Sequence, residues 1–209
     1  KMITKIDCFK SCGVNAITTT RAGGCSLGDY DSFNLAYHVG DAVESENKNR
    51  ITLQQKLDIG QEPRWLEQVH GSNVVEITQK QSQNDVADAL FTRQKNTPLA
   101  IMTADCLPIF IVDEFTHCVA AIHGGWRPLA NNIIENTVVA MAIAPENAVA
   151  WLGPCIGPNY FEVGLDVKQA FLELDDEFEG AFKPSGSHLD KFLADLHEIA
   201  KIQLNQQGI

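Results

Sequence analysis

Apolar and polar positions divide this chain into short periodic runs, and the clearest lie near its middle. Residues 109–112 and 119–122 are β-branched and apolar, separated by the polar-tipped Asp113-Glu114-Phe115-Thr116, a connection of hairpin length. They predict two antiparallel strands. A symmetrical loop sets Leu107 opposite Ile122 and Cys106 opposite His123, where facing Cβ atoms lie roughly 4.5–5.5 Å apart. Residues 65–69 and 73–78 predict a second hairpin, with Gly71-Ser72 as a type II′ tip and His70 at a strand end. Further strands are predicted over residues 15–20, 87–92, 98–103 and 148–152.

Helical periodicity appears in four places. Residues 41–58 are mostly polar, open on an Asp41/Glu44 cap and end at Gly60. Residues 128–142 start with Pro128 and present Ile133, Ile134, Thr137, Val138 and Met141 on one face. Residues 166–174 and 188–207 follow, the last apolar at Leu189, Phe192, Leu193, Leu196 and Ile199 and stopped by Gly208. Helices alternating with strands, but with hairpins between them, exclude a purely parallel sheet. They predict an α/β (α+β) class with mixed sheets flanked by helices.

Length and charge narrow the function. A chain of 209 residues, 44% hydrophobic, can bury a sizeable core, and its length favours a single domain over residues 1–209. The net charge of −11, with no Lys/Arg run, makes nucleic acid and anionic membrane poor partners and a small molecule the better one. No run approaches the ~18 apolar residues of a membrane span, and the first residues have no signal-peptide core. Cysteines stand at 8, 12, 25, 106, 118 and 155 without CxxC or zinc-finger spacing, which favours reduced thiols in a cytoplasmic enzyme.

Candidate chemistry gathers at polar-to-apolar junctions. His70, Cys106 and His123 each stand at a predicted strand end. Two imidazoles and a thiolate suit zinc with a fourth position open, as in catalytic sites. A Cys/His nucleophile and base pair, or a buried cysteine beside a hydrogen-bonded histidine, fits the same residues. Arg21-Ala22-Gly23-Gly24 reads equally as a tight loop or an anion-binding nest. Gly124-Gly125 ahead of a helix, with Arg127, offers a second place for an anion such as phosphate. His38 lies in a loop and is read as incidental, while His188 and His197 are assigned structural roles on the last helix.

The segments Gln68-Val69-His70-Gly71, Asp88-Ala89-Leu90, Thr103-Ala104-Asp105-Cys106-Leu107-Pro108, His123-Gly124-Gly125-Trp126-Arg127 and Trp151-Leu152-Gly153-Pro154 resemble the YfiH family, called both laccase-like polyphenol oxidase and purine nucleoside phosphorylase. Thr20-Arg21-Ala22-Gly23-Gly24 and Phe33-Asn34-Leu35 extend the resemblance to nearly the whole chain. It implies a layered α/β/β/α sandwich and a catalytic zinc on His70, Cys106 and His123. It also implies phosphorolysis of adenosine, inosine and methylthioadenosine, with adenosine deamination beside it. Arg21, Asn34 and Arg127 are the expected substrate and phosphate contacts, and bacterial relatives are implicated in editing peptidoglycan precursors.

This sequence departs from the family pattern in two ways. Gly124 and Pro128 stand where the family motif usually has Ala and Gly, changes the turn is expected to tolerate. The family also continues past the position of Ile209, so the domain is expected to be truncated at its C-terminus and part of a sheet left uncovered. The laccase name meets a chemical objection, because a trinuclear copper cluster needs paired histidines and the six histidines here include no His-x-His. Copper is therefore the lesser alternative to zinc. The deamidase toxins that share the layered fold use Cys and His without metal, which makes Cys106 and His123 a rival nucleophile and base.

Overall fold

The structure, a computed structural model, describes residues 1–78, 85–186 and 188–209, which form two compact units. The smaller comprises residues 1–64 and 96–98. In it β1 (Ile3–Ile6) pairs antiparallel with β2 (Ala16–Thr19), and α1 spans Val43–Leu57. α1 ends at Asp58, which takes the left-handed conformation at φ 51°, two residues before the expected Gly60. The side chain of Asn49 on α1 organises the preceding loops. Its Nδ2 donates to Ser26 Oγ, Ser32 O and Asn34 O, and its Oδ1 accepts from Cys25 N.

The larger unit comprises residues 65–95 and 99–209. Its strands are β3 (Leu66–Glu67), β4 (Val74–Glu76), β5 (Asp85–Val86), β6 (Ala89–Thr92), β7 (Leu107–Asp113) and β8 (Val119–Gly124). The helices α2 (Trp126–Ala130) and α3 (Ile133–Met141) lead to β9 (Ala148–Leu152). Then come β10 (Glu162–Gly164), α4 (Leu165–Leu172), β11 (Phe182–Pro184), β12 (Lys191–Ala194) and α5 (Leu196–Gln206). The main sheet has the order β4-β6-β8-β7-β9, with β4 parallel to β6 and the other pairs antiparallel, so the expected mixed-sheet α/β architecture holds. One face buries Ile109, Ile111 and Ile122 with Ile134 and Met141 of α3 and Ile199 of α5. The other buries Leu90 and Ala121 with Leu66 of β3 and Ala87. Among the described residues, no helix is long and apolar enough to cross a membrane.

Several sequence expectations are corrected. The central hairpin exists, but Leu107 pairs with Gly124 and Pro108 with His123, a register two residues from the expected one. The cause lies in the turn. The Asp113 carboxylate accepts the amides of Phe115 and Thr116, His117 takes φ 55°, and Asp113 N bonds Cys118 O, so the loop starts one residue later than its composition implies. Residues 65–78 form no hairpin. β3 pairs in parallel with β5 and β4 in parallel with β6, which places the two runs in different sheets. Residues 98–103 form no extended strand; instead the Gln68 side chain clamps Met102 through both its N–H and C=O.

The helix expected over residues 128–142 is two helices, because Asn132 breaks it at φ 58°. Pro128 sits in the first turn of α2, where its missing N–H leaves no bond unmade. The helix expected from residue 188 begins only at Leu196, since Phe192 and Leu193 belong to β12 between β10 and β11. Asp195 caps α5 by accepting Glu198 N at 3.1 Å, and Gly208 stops it at φ 81° as expected.

Asp113 carries a testable stability term. Burial opposes its ionisation, yet the bonds from the Thr116 and Phe115 amides hold it below the usual carboxylate range. Asp113→Ala is expected to lower unfolding free energy by about 1–2 kcal/mol in urea titrations at neutral pH. Because the folded-state value is depressed, that difference is present above about pH 4 and closes as pH falls through it.

Candidate metal centre

Three segments of the larger unit converge on one group of donors. The ligand atoms of His70, Cys106 and His123 all lie within 4.8 Å of one another, although Cys106 does not face His123 across the hairpin. Cys106 precedes β7, His123 is the penultimate residue of β8, and His70 sits in the loop between β3 and β4. The two imidazole rings meet edge to face with centroids 4.7 Å apart. Exposure grades across the group, from buried His123 through half-buried Cys106 to exposed His70. One side of the cluster is thus open to solvent, as a substrate requires.

Asp88, between β5 and β6, anchors two of the three. It is fully buried, and its Oδ1 lies 2.8 Å from His123 Nδ1 and accepts His70 N at 2.9 Å. Its Oδ2 accepts Gly71 N at 2.6 Å and Val69 N at 3.3 Å. Its main-chain carbonyl accepts His123 N at 2.8 Å. This ring of amides holds His70 at φ 58° and explains why residues 69–71 form a loop around a carboxylate rather than a hairpin tip. Although burial disfavours its charge, bonds from His123 and from the Gly71 and Val69 amides hold Asp88 below the usual carboxylate range. Burial likewise opposes the His123 imidazolium, but Asp88 and Cys106 as hydrogen-bond partners raise it to about 9.

The donor set fits a metal. An ionised Asp88 only accepts, so the hydrogen on His123 sits at Nδ1 and Nε2 is the nitrogen left for an ion. Gly125 makes the cradle close: a Cβ there meets Cys106 Sγ at 3.1 Å and His70 Cδ2 at 3.3 Å. Soft thiolate and imidazole donors, three in number, are the ligands zinc takes in catalytic sites.

Arg21, Asn34 and Arg127 are not among the converging donors. Arg127 is exposed at the start of α2, its guanidinium 4.4 Å from the Trp126 ring centroid. Arg21 and Asn34 belong to the smaller unit. There the amides of Gly23 and Gly24 donate to Ser32 Oγ and Arg21 Nε donates to Asp31 O, so the tight-loop reading describes this segment and its amides are engaged. Asn34 is bonded to Ala36 and Asp41. His197 lies on α5, its Nε2 2.8 Å from Gly153 O and its Nδ1 3.5 Å from Cys155 Sγ, consistent with a structural role. Among the described residues no second group of His, Cys, Asp or Glu gathers at metal-binding distance.

Asp88 is the residue of this centre to which sequence reasoning assigns no role beyond the motif Asp88-Ala89-Leu90. A signal was present, since it is one acid inside the apolar run Val86-Ala87-Asp88-Ala89-Leu90-Phe91. A carboxylate there must be buried, and a buried carboxylate needs donors.

A family model described as multi-copper polyphenol oxidoreductase laccase matches residues 15–209. The purine nucleoside phosphorylase YfiH of Shigella flexneri is 43% identical over 197 residues, covering 94% of this chain and 80% of its own length. The protein of the same name from Escherichia coli strain K12 is also 43% identical over 197 residues, with the same coverage. Among solved structures, Neisseria meningitidis protein NMB0706 superposes with a TM-score of 0.92 at 39% identity, covering 100% of this chain and 85% of its own.

Proposed function

From the premise that the chain belongs to the multi-copper polyphenol oxidoreductase laccase family, with relatives named purine nucleoside phosphorylase, we propose that it is a zinc-dependent purine nucleoside phosphorylase. The observation that carries this reading is the convergence of His70, Cys106 and His123 within 4.8 Å, with His70 exposed. Zinc bound there supplies Lewis-acid polarisation, or a water acidic enough to ionise near pH 7 for a companion deamination of adenosine. His70, Cys106 and His123 hold the ion, and Asp88 keeps the His123 Nδ1 proton in place. Arg127, exposed at the start of α2, offers a charge for phosphate. In phosphorolysis a phosphate oxygen forms a bond to C1′ of the ribose. The C1′–N bond breaks, and the purine leaves with its electron pair and takes up a proton.

Copper is the lesser reading. His38, His117, His188 and His197 lie outside the cluster, so the paired histidines of a trinuclear centre have no counterpart among the described residues. A metal-free hydrolase or amidase, including one that edits peptidoglycan precursors, is favoured by one observation. Cys106, His123 and Asp88 form a hydrogen-bonded chain in the order nucleophile, base and orienting acid. None of the six cysteines is in a disulfide, which supports a cytoplasmic setting.

The test is an assay of metal-analysed protein with inosine. Hypoxanthine release that requires phosphate, matched by equimolar ribose 1-phosphate, is the expected result. Release at the same rate without phosphate identifies hydrolysis, and no release with inosine, adenosine or methylthioadenosine refutes the phosphorylase reading.

A further inference from the structure

Two of the three donors take their position from a single residue outside the donor set. His123 offers Nε2 to the cluster only while Nδ1 is held, and the group that holds it is Asp88 Oδ1 at 2.8 Å. His70 reaches the cluster from a left-handed backbone conformation that a residue with a Cβ adopts at a cost. What over-determines that conformation is the same carboxylate, which accepts three consecutive amides, from Val69, His70 and Gly71. The main chain adds a further bond, from His123 N to Asp88 O at 2.8 Å. Displacing Asp88 therefore moves a ring on β8 and a loop after β3 together.

We propose that Asp88 is the positioning residue of this centre, presetting His70 and His123 for an ion before it arrives. The affinity readout below rests on the metal reading, whereas the exchange readout does not. Asp88→Asn keeps the volume of the side chain, but its amide nitrogen is a donor, so it cannot serve three amides and a ring N–H at once. The neighbouring donors then lose partners around a side chain that is itself fully buried.

The control is Asp113→Asn. Asp113 is also buried and also accepts two loop amides, but it lies at the far end of β7 and β8 from the cluster. It should lower thermal stability without touching zinc affinity, which separates positioning from general destabilisation.

Hydrogen exchange and zinc titration test the proposal together. In the metal-free wild type the amides of Val69, His70 and Gly71 should exchange slowly for a loop, and in Asp88→Asn at least roughly tenfold faster. Competition with a chromophoric chelator should show zinc bound roughly 10–100-fold more weakly by Asp88→Asn and unchanged in Asp113→Asn. Wild-type zinc affinity in Asp88→Asn overturns the proposal, as does an equal loss in both variants. Fast exchange of the three amides in the metal-free wild type overturns it without any variant, which covers the case that Asp88→Asn does not fold. Should the wild type bind no zinc, the metal reading falls, and the positioning role is decided by the exchange rates alone.

Discussion

On the zinc phosphorylase reading, Cys106→Ser is expected to purify as a folded protein without zinc and without turnover. Cys106 is half-buried and precedes β7, so the smaller serine removes no strand pairing and leaves the Gly125 cradle intact. What it removes is the one soft anionic donor. Apparent binding free energies of ~10–16 kcal/mol for zinc on four protein ligands amount to about 2.5–4 kcal/mol per ligand, a loss of affinity of roughly two to three orders of magnitude. Metal analysis and turnover should therefore fall together, and in the wild type a chelator should abolish activity that added zinc restores. Alkylating reagents should attack Cys106 slowly until the chelator frees the thiolate. The hydrolase reading makes the opposite forecast at each point: ready alkylation, indifference to chelator, and a Cys106→Ser protein that loses turnover with its metal content unchanged. The decisive outcome is an inactive Cys106→Ser protein whose metal content equals that of the wild type, which promotes Cys106 from ligand to nucleophile.

How much of the fold was legible depended on whether one local signal or two competed at each place. β7, β8 and β9 were legible because their runs are β-branched, apolar and bounded by turn residues, and no helical reading fits them. Their register was not. It depends on Asp113 reaching two amides and on His117 accepting a left-handed conformation, neither of which loop length reveals. The stretch before α5 failed for a different reason. Phe192, Leu193, Leu196 and Ile199 are spaced so that a helix explains them, and only the capping pair Asp195 and Glu198 marks where the strand stops. The parallel pairing of β3 and β4 with β5 and β6 joins residues distant in sequence, which periodicity does not encode.

His70, Cys106 and His123 come together although the hairpin register expected from loop length is not the one observed. Each is a polar residue at the end of an apolar run, and the pairing of Cys106 with His123 that a symmetrical loop implies is replaced by Pro108 opposite His123. They converge regardless, because strand ends on one edge of a sheet share a rim whatever the pairing offset. The carboxylate that organises them was less legible. A sequence ranks Asp88 as one acid among 27 acidic residues, and only its zero exposure and its ring of donors single it out.

Ile109→Ala is expected to give the largest loss of stability from a single truncation near the site without altering the site itself. Ile109 is fully buried on β7, paired with Ile122 on β8 and Leu152 on β9, in the core that α3 and α5 cover. Its Cδ1 comes within 3.1 Å of the position a Cβ on Gly124 would take, so the side chain fills the space directly beneath the segment that carries His123. Removing it leaves a cavity walled by paired strands that cannot collapse inward, and the expected cost is about 2–5 kcal/mol, against about 0.5–1.5 kcal/mol for Ile109→Val. Urea titration should show lower midpoints with unchanged slopes in both variants, because the surface exposed on unfolding hardly changes. Zinc then reports whether the core and the centre are separable. A ligand at a hundred times its dissociation constant adds about 2.7 kcal/mol to the folded state, and that increment should be the same in wild type, Ile109→Val and Ile109→Ala. A smaller increment in Ile109→Ala would mean that the position of His123 depends on the packing below Gly124 and is not set by Asp88 alone.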